Sequence, residues 1–183
     1  LPLFTKGLSA YYIVMPAEVS SNLARYDGIR YGLSVPGDTL LEVYEKTRAI
    51  GFGPEVKRRI LLGTYVLSSG YYDAYYAKAE QVRVQMRKEL VDTFKQVDLI
   101  LTPTAPTPAF VVGEKNNPLA MYAQDIFTVP VNLTGVPALS IPAGVVTRGE
   151  ERLPYGVQYI APHGGDSVLF AFGKQTYDTT IEK

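Results

Sequence analysis

Strand-like hydrophobic patterns occur at three places along the chain. Residues 10–15 are rich in aromatic and β-branched side chains, which favours a buried strand. Residues 97–101 form a short apolar run that is typical of a core strand. Residues 136–146 and 156–160 alternate in the manner of paired strands, and the charged segment 148–152 predicts the loop of their hairpin.

Helical patterns fill most of the remaining chain. Thr39 and Glu42 form a capping-box pattern that predicts a helix over residues 40–50. Residues 55–96 contain no proline, and they predict two helices with a break near Gly70. The second helix would bury a stripe of apolar residues that recur every four positions: Val82, Met86, Leu90 and Phe94.

Shorter helices complete the predicted order of elements. Pro16 suits the first turn of a helix over residues 17–23, and residues 125–133 predict a short helix interrupted at Pro130. Asp166 is a candidate N-cap for a final helix. Because strands and helices interleave, the sequence predicts an α/β fold in which a mixed β-sheet is covered by helices. No repeat or linker divides residues 1–183, so we expect a single domain.

The composition of the chain argues against several classes of function. The 183 residues include 18 basic and 18 acidic side chains, so direct nucleic-acid binding is not expected. The sequence has no cysteine and one histidine, which leaves little chemistry for a metal or cofactor site, and none is expected. The sequence has neither a signal-peptide pattern nor an apolar run long enough for a membrane span, so we expect a cytoplasmic protein without membrane contact.

Nucleophilic catalysis would need a serine or threonine beside a base. The serine pairs 20–21 and 68–69 lie in predicted helices, and His163 is the only imidazole that a serine triad could use. The loop around His163 has the residues of a helix-entry turn, which explains it without catalysis. We therefore expect no catalytic residue in this chain.

A second candidate site would bind a ligand without taking part in catalysis. Arg58 lies in the run Lys57-Arg58-Arg59, which alone would be interpreted as a solvated helix face. A guanidinium can also hold a carboxylate in two parallel hydrogen bonds, and Asp125 could hold an ammonium group. Together they would suit the zwitterionic head group of an amino acid. Four tyrosines between residues 71 and 76 are similarly ambiguous, although tyrosines at helical spacing more often pack in a core or at its rim than form a binding platform.

Four motifs in this order resemble one branch of the amidase-signature family: YYIVMPAEVSSNLARYDGIRYG at 11–32, GFGPEVKRRILLGTYVLSSGYYDAYYAKA at 51–79, LTPTAPTPAF at 101–110 and MYAQDIFTVPVNLTGVPALSIPAG at 121–144. That branch is the A subunit of the glutamyl-tRNA(Gln) or aspartyl-tRNA(Asn) amidotransferase. The likeness extends over residues 9–160 and weakens beyond them. It implies the C-terminal half of the amidase-signature fold.

The resemblance also implies a function and site residues. Members of this branch hydrolyse glutamine with a serine, a cis-serine and a lysine. They pass the ammonia to partner subunits that amidate aminoacyl-tRNA. The Gly/Ser-rich stretch that carries those serines is not found in this sequence. By resemblance, Arg58 corresponds to the residue that binds the glutamine carboxylate and Asp125 to the one that binds its amino group. A pocket tyrosine corresponds to Tyr11, with Tyr12 as the alternative.

The leading hypothesis is therefore a fragment of a glutaminase subunit that supplies part of the glutamine pocket and is inactive alone. One alternative is a noncatalytic interaction module that shares the amidase half. Another is a fragment of an amidase acting on a different amide, which Arg58 and Asp125 argue against because a simple amide is not a zwitterion. Sheet edges and apolar surface that the missing half would cover would favour self-association.

Overall fold

The computed structural model describes residues 1–114 and 117–181. The chain divides into two compact units, residues 12–80 and residues 1–11 with 81–183. The prediction of a single domain over residues 1–183 stays a prediction. The helices and strands are α1 (Phe4–Asn22), α2 (Leu40–Gly51), α3 (Pro54–Val66), α4 (Ala77–Thr93), β1 (Ile100–Pro103), α5 (Pro118–Tyr122), α6 (Val129–Thr134), β2 (Ala138–Arg148), β3 (Glu151–Ile160) and α7 (Asp166–Ile181).

Helix α1 corrects the predicted strand over residues 10–15. The helix begins at Phe4 and continues through Pro16 to Asn22, so Pro16 lies inside a helix rather than at the start of one. The buried residues Ala10, Val14 and Ala17 are four and three positions apart, which is helical spacing. Burial of this stripe outweighs the strand preference of the aromatic and β-branched residues, because strand propensity depends strongly on context.

The predicted helix over residues 40–50 is confirmed as α2. Its N-cap Thr39 accepts a hydrogen bond at Oγ1 from the backbone N–H of Glu42 at 3.2 Å. The carboxylate of Glu42 accepts a bond from the backbone N–H of Asp38 at 3.2 Å, one residue before the capping-box position. A hydrogen bond from the Lys46 ammonium and the one from Asp38 lower the pKa of Glu42.

Helices α3 and α4 confirm the two helices predicted over residues 55–96, with a break that includes Gly70 at φ +83°. A π-helical turn, Tyr72–Tyr76, leads into α4. In the predicted stripe, Met86 and Leu90 are almost fully buried. Val82 is half-buried, and Phe94 lies one residue past the end of α4.

A close approach of backbone to backbone holds α3 against α1 in the unit of residues 12–80. Gly63 is buried, and a Cβ atom built on it would lie 1.8 Å from the carbonyl oxygen of Pro16. The helices can therefore meet at this distance only because residue 63 has no side chain.

We predict that Gly63→Ala lowers the free energy of unfolding by about 2 kcal/mol or more, because the added methyl group overlaps a backbone carbonyl. Gly51→Ala is the matched control, since its Cβ would make only an ordinary contact at 3.7 Å with Leu33. Urea denaturation of both variants measures the difference. Equal stability of the two would contradict the packing described above.

The unit of residues 1–11 and 81–181 contains a three-stranded sheet in the order β1-β3-β2. Both described strand pairs are antiparallel, so the sheet that was expected to be mixed has no parallel pair among the described residues. The α/β class is confirmed. The predicted hairpin is also confirmed, with a longer second strand and a tighter turn at Gly149 and Glu150 than the sequence suggested.

Helix α7 packs on one face of this sheet. Phe172 lies edge-on to Tyr159 of the central strand, with ring centroids 5.0 Å apart. Leu139, the neighbour of Tyr159 in β2, lies where a Cβ atom on Gly173 would stand. Leu169 is buried at 3% exposure. The opposite face of the sheet is therefore the one that carries the polar residues described below.

No helix within the described ranges is long and apolar enough to cross a bilayer.

Candidate functional site

The three basic residues at 57–59 have three different environments on α3. The Lys57 ammonium donates to the carbonyl oxygen of Ala49 at 2.8 Å, in the last turn of α2. The Arg59 guanidinium lies 6.0 Å from the centre of the Tyr12 ring and 3.8 Å from the Met15 sulfur, and both residues are on α1. Lys57 and Arg59 therefore join helices to one another, whereas Arg58 does not.

Among the described residues, the Arg58 side chain bonds only within its own helix. Its side chain is 55% exposed and forms an ion pair with Glu55 one turn earlier on the same helix. Glu55 also pairs with Arg59, at 2.9 Å from its Nε. The Arg58 guanidinium thus reaches solvent from a rigid helix and is oriented by one carboxylate. This geometry leaves part of its hydrogen-bonding fork open to a ligand.

Asp125 ends a short 3-10 helix, Ala123–Asp125, in the other unit. Its carbonyl oxygen accepts a hydrogen bond from the backbone N–H of Thr128 at 3.1 Å. Its side chain is exposed, and within residues 1–114 and 117–181 no hydrogen bond or ion pair involves its carboxylate. An exposed carboxylate in this state is available to a cation or ammonium group.

The residues on either side of Asp125 are anchored. Gln124 accepts a hydrogen bond from the Thr107 hydroxyl at 2.9 Å, and the carbonyl oxygen of Phe127 accepts one from the Gln158 amide at 3.1 Å. Gln158 is in the central strand β3 and is only 5% exposed. The 3-10 turn that carries Asp125 is therefore tied to the sheet and to the proline-rich segment, so its carboxylate stands on a fixed support.

Tyr11 and Tyr12 are consecutive in α1 and both are half-buried. They therefore point about 100° apart around the helix axis. The Tyr12 ring is engaged by the Arg59 guanidinium, as described above. This contact gives Tyr12 a packing role, and the assignment of a pocket role to Tyr11 stays a prediction.

The serines considered as nucleophiles bond to backbone carbonyl oxygens three or four residues earlier in the chain. Ser68 lies just after α3 rather than in a helix as predicted. The hydroxyls of Ser20 and Ser21 donate to the carbonyl oxygen of Ala17, at 2.9 and 3.3 Å. The Ser68 hydroxyl donates to the carbonyl oxygen of Tyr65 at 2.6 Å. Local bonds of this kind satisfy a hydroxyl without a base. Within the described part of the chain, no three metal-ligating side chains cluster.

Comparison with known proteins shows the family. The amidase family profile matches residues 1–170. The chain belongs to the amidase family. Its relatives include the A subunit of glutamyl-tRNA(Gln) amidotransferase from Rhizorhabdus wittichii, 60% identical over 163 residues, and that from Azorhizobium caulinodans, 54% identical over 177 residues. These matches cover 87% and 95% of this chain but only 32% and 35% of the relatives.

The crystal structure of the A subunit of glutamyl-tRNA(Gln) amidotransferase from Thermotoga maritima has the same fold, with a TM-score of 0.63 at 40% identity. The match covers 93% of this chain and 31% of that one. The amidase chain described above thus spans about a third of the length of the relatives that it matches. The resemblance drawn from the four sequence motifs is confirmed.

In this amidase chain, a polar row on the sheet face opposite α7 was not predicted from the sequence. Thr102, Gln158 and Ser140 are neighbours across the three strands, and the Gln158 amide donates to the Thr102 hydroxyl at 3.1 Å. The hydroxyls of Ser140 and Thr104 lie 2.8 Å apart. A polar residue at the centre of the strand pattern at 156–160 was the signal that could have indicated this row.

A cleft of about 590 Å³ lies next to the polar row. Its walls are the proline-rich segment 103–109 and parts of β2 and β3, including Tyr155. Thr107, on the wall, is the residue that bonds to Gln124 beside Asp125. The cleft, the polar row and the Asp125 turn are therefore linked by direct contacts within one unit.

Tyr65, near the end of α3, packs with tyrosines that follow this helix. The rings of Tyr65 and Tyr71 have centroids 4.2 Å apart, and those of Tyr71 and Tyr75 are 6.0 Å apart. A hydrogen bond with Tyr71 raises the pKa of Tyr65 to about 12. All three side chains are 39–47% exposed. Mutual packing accounts for this group, in line with the packing interpretation of these tyrosines.

Proposed function

We propose that this chain is the C-terminal part of a glutamine-hydrolysing subunit of a tRNA-dependent amidotransferase. In the intact protein it would contribute the part of the pocket that binds the head group of glutamine, while a serine, a cis-serine and a lysine elsewhere perform the hydrolysis. The ammonia would pass to partner subunits, in the cytoplasm. The similarity to the A subunit of glutamyl-tRNA(Gln) amidotransferase carries the proposal.

The local geometry of two residues supports the binding role. Arg58 offers an exposed guanidinium on a rigid helix, and Asp125 offers an exposed carboxylate on an anchored turn. A guanidinium and a carboxylate have the charges that an α-carboxylate and an α-ammonium group require. Tyr11 would form an aromatic wall of the same pocket.

Asp125 provides the test of this function. The intact enzyme should prefer glutamine to glutaramate, the same amide without the α-amino group, because only glutamine brings an ammonium group to the Asp125 carboxylate. We expect Asp125→Asn to lower this preference in kcat/KM by about 10-fold to 100-fold, since a hydrogen bond to a charged group contributes about 1.5–3 kcal/mol. Ammonia release from each substrate measures the preference.

Asp98→Asn is the matched control, because Asp98 is an exposed carboxylate just before β1. It should leave the preference unchanged. An intact wild-type enzyme that hydrolyses both amides equally would favour the alternative of an amidase acting on another amide. An intact protein with no amidase activity at all would favour the noncatalytic module.

A further inference from the structure

A corner with two nitrogen-bearing side chains, Arg87 and His163, lies in the unit of residues 1–11 and 81–181 and uses none of the residues proposed for glutamine. Arg87 is on α4, His163 is in the loop before α7, and Gly135 follows α6. A Cβ atom on Gly135 would have His163 Cε1 at 3.6 Å and Arg87 Nη2 at 3.7 Å. The imidazole and the guanidinium are therefore within about 7 Å of each other.

The Arg87 side chain is held in place by the end of α6. Its Nε donates to the carbonyl oxygen of Thr134 at 3.1 Å. Thr134 is itself fully buried, and its hydroxyl donates to the carbonyl oxygen of Pro130 at 2.7 Å. Nε is therefore used to position the guanidinium, which leaves its terminal nitrogens as further donors.

Neither of these side chains is paired with an acidic neighbour in the described part of the chain. Arg87 and His163 are both exposed, and across residues 1–114 and 117–181 neither forms an ion pair with an acidic side chain. Asp166, three residues after His163, also forms no ion pair with either of them in those ranges. The donors of the corner are thus available to a ligand.

Gly135 leaves space between the two side chains. Its φ of +73° is a left-handed conformation that closes α6, and its backbone N–H donates to the carbonyl oxygen of Val131 at 2.9 Å. Any other residue would be strained here and would place a side chain between Arg87 and His163. The helix end therefore keeps this gap open.

We propose that Arg87, His163 and the open face of Gly135 form a binding site for an oxyanion, supplied by a phosphate group or by a carboxylate. One tetrahedral or planar oxyanion can accept hydrogen bonds from two donors at this separation, because each charge-assisted bond spans about 2.8 Å. The guanidinium supplies a fixed charge and a planar fork, and the imidazole, whose Cε1 between the two ring nitrogens faces the gap, supplies an N–H group.

The single histidine of the sequence makes the test direct, because one proton resonance, that of His163 Cε1–H, reports on the site. Inorganic phosphate, acetate and chloride are titrated separately into the 183-residue chain at constant ionic strength. The His163 signal should move saturably with phosphate, with acetate or with both, and not with chloride. Saturation by phosphate alone or by acetate alone identifies the source of the oxyanion.

The variants Arg87→Gln and Arg87→Lys should bind at least tenfold more weakly, the lysine because it keeps the charge but loses the fork. Arg152→Gln is the control, since Arg152 is an exposed arginine in β3 of the same unit. It should leave the titration unchanged. Signals that move linearly with every salt, or equal weakening by Arg87→Lys and Arg152→Gln, would overturn the site.

Discussion

The 183-residue chain alone should release no measurable ammonia from glutamine. Under the proposed function, it holds the groups that grip the substrate, while the attacking oxygen and its base belong to another part of the intact protein. A substrate positioned without a nucleophile gains nothing from proximity, so loss of activity should be complete rather than partial. Ammonia release is measured for the chain and for the intact protein at equal concentration.

Two serine variants define the result that would contradict this expectation. Ser20→Ala and Ser68→Ala remove the hydroxyls that now bond to helix carbonyls. Activity that survives stringent purification and is lost in either variant would show a nucleophile inside the chain. Activity that is unchanged in both variants, and that disappears on further purification, would indicate a contaminating glutaminase.

Arg58→Ala in the intact protein should raise the KM for glutamine by about 10-fold to 100-fold, because hydrogen bonds to charged groups contribute about 1.5–3 kcal/mol and about 1.4 kcal/mol is a factor of ten. The turnover number should change less. In the proposed pocket, Arg58 holds the carboxylate at the end of glutamine away from the amide, so the group acts mainly in binding. Steady-state kinetics separate the two constants.

Two further variants on α3 sharpen this experiment. Lys57→Ala removes a cation that bonds to the Ala49 carbonyl oxygen, and it should leave KM within about twofold, as expected of a change outside the pocket. Arg58→Lys keeps the charge but loses the two parallel hydrogen bonds, so its KM should lie between those of wild type and Arg58→Ala. A KM that is unaffected by Arg58→Ala would remove Arg58 from the pocket.

Elements with a local signal were predictable from the sequence. The α2 helix begins where Thr39 and Glu42 supply capping groups, and the hairpin follows from alternating residues on either side of a charged turn. Residues 10–15 of helix α1 were predicted wrongly as a strand, because this apolar run contains many residues that also suit strands. Burial of Val14 and Ala17 on one side of a helix depends on contacts with distant segments.

In the candidate site, too, some features have a local sequence signal and others depend on tertiary contacts. The basic run at 57–59 is visible in the sequence, but which of its members contact another helix depends on the positions of Ala49, Tyr12 and Met15 in the folded unit. Arg58, Asp125 and Tyr11 were indicated by resemblance rather than by spacing. The polar row centred on Gln158 depends on strand register, which the sequence pattern alone did not reveal.

Glu55 gives Arg58 a partner that is already in place. A carboxylate arriving from solution would replace Glu55 rather than meet a bare cation, and the displaced Glu55 would keep its bond to Arg59. Binding of the ligand would then exchange one carboxylate for another on Arg58, so the number of neutralised charges would change little. Such a site would select its ligand by shape and length rather than by charge alone. The ligand could dissociate quickly, because Glu55 would pair with Arg58 again as the ligand leaves.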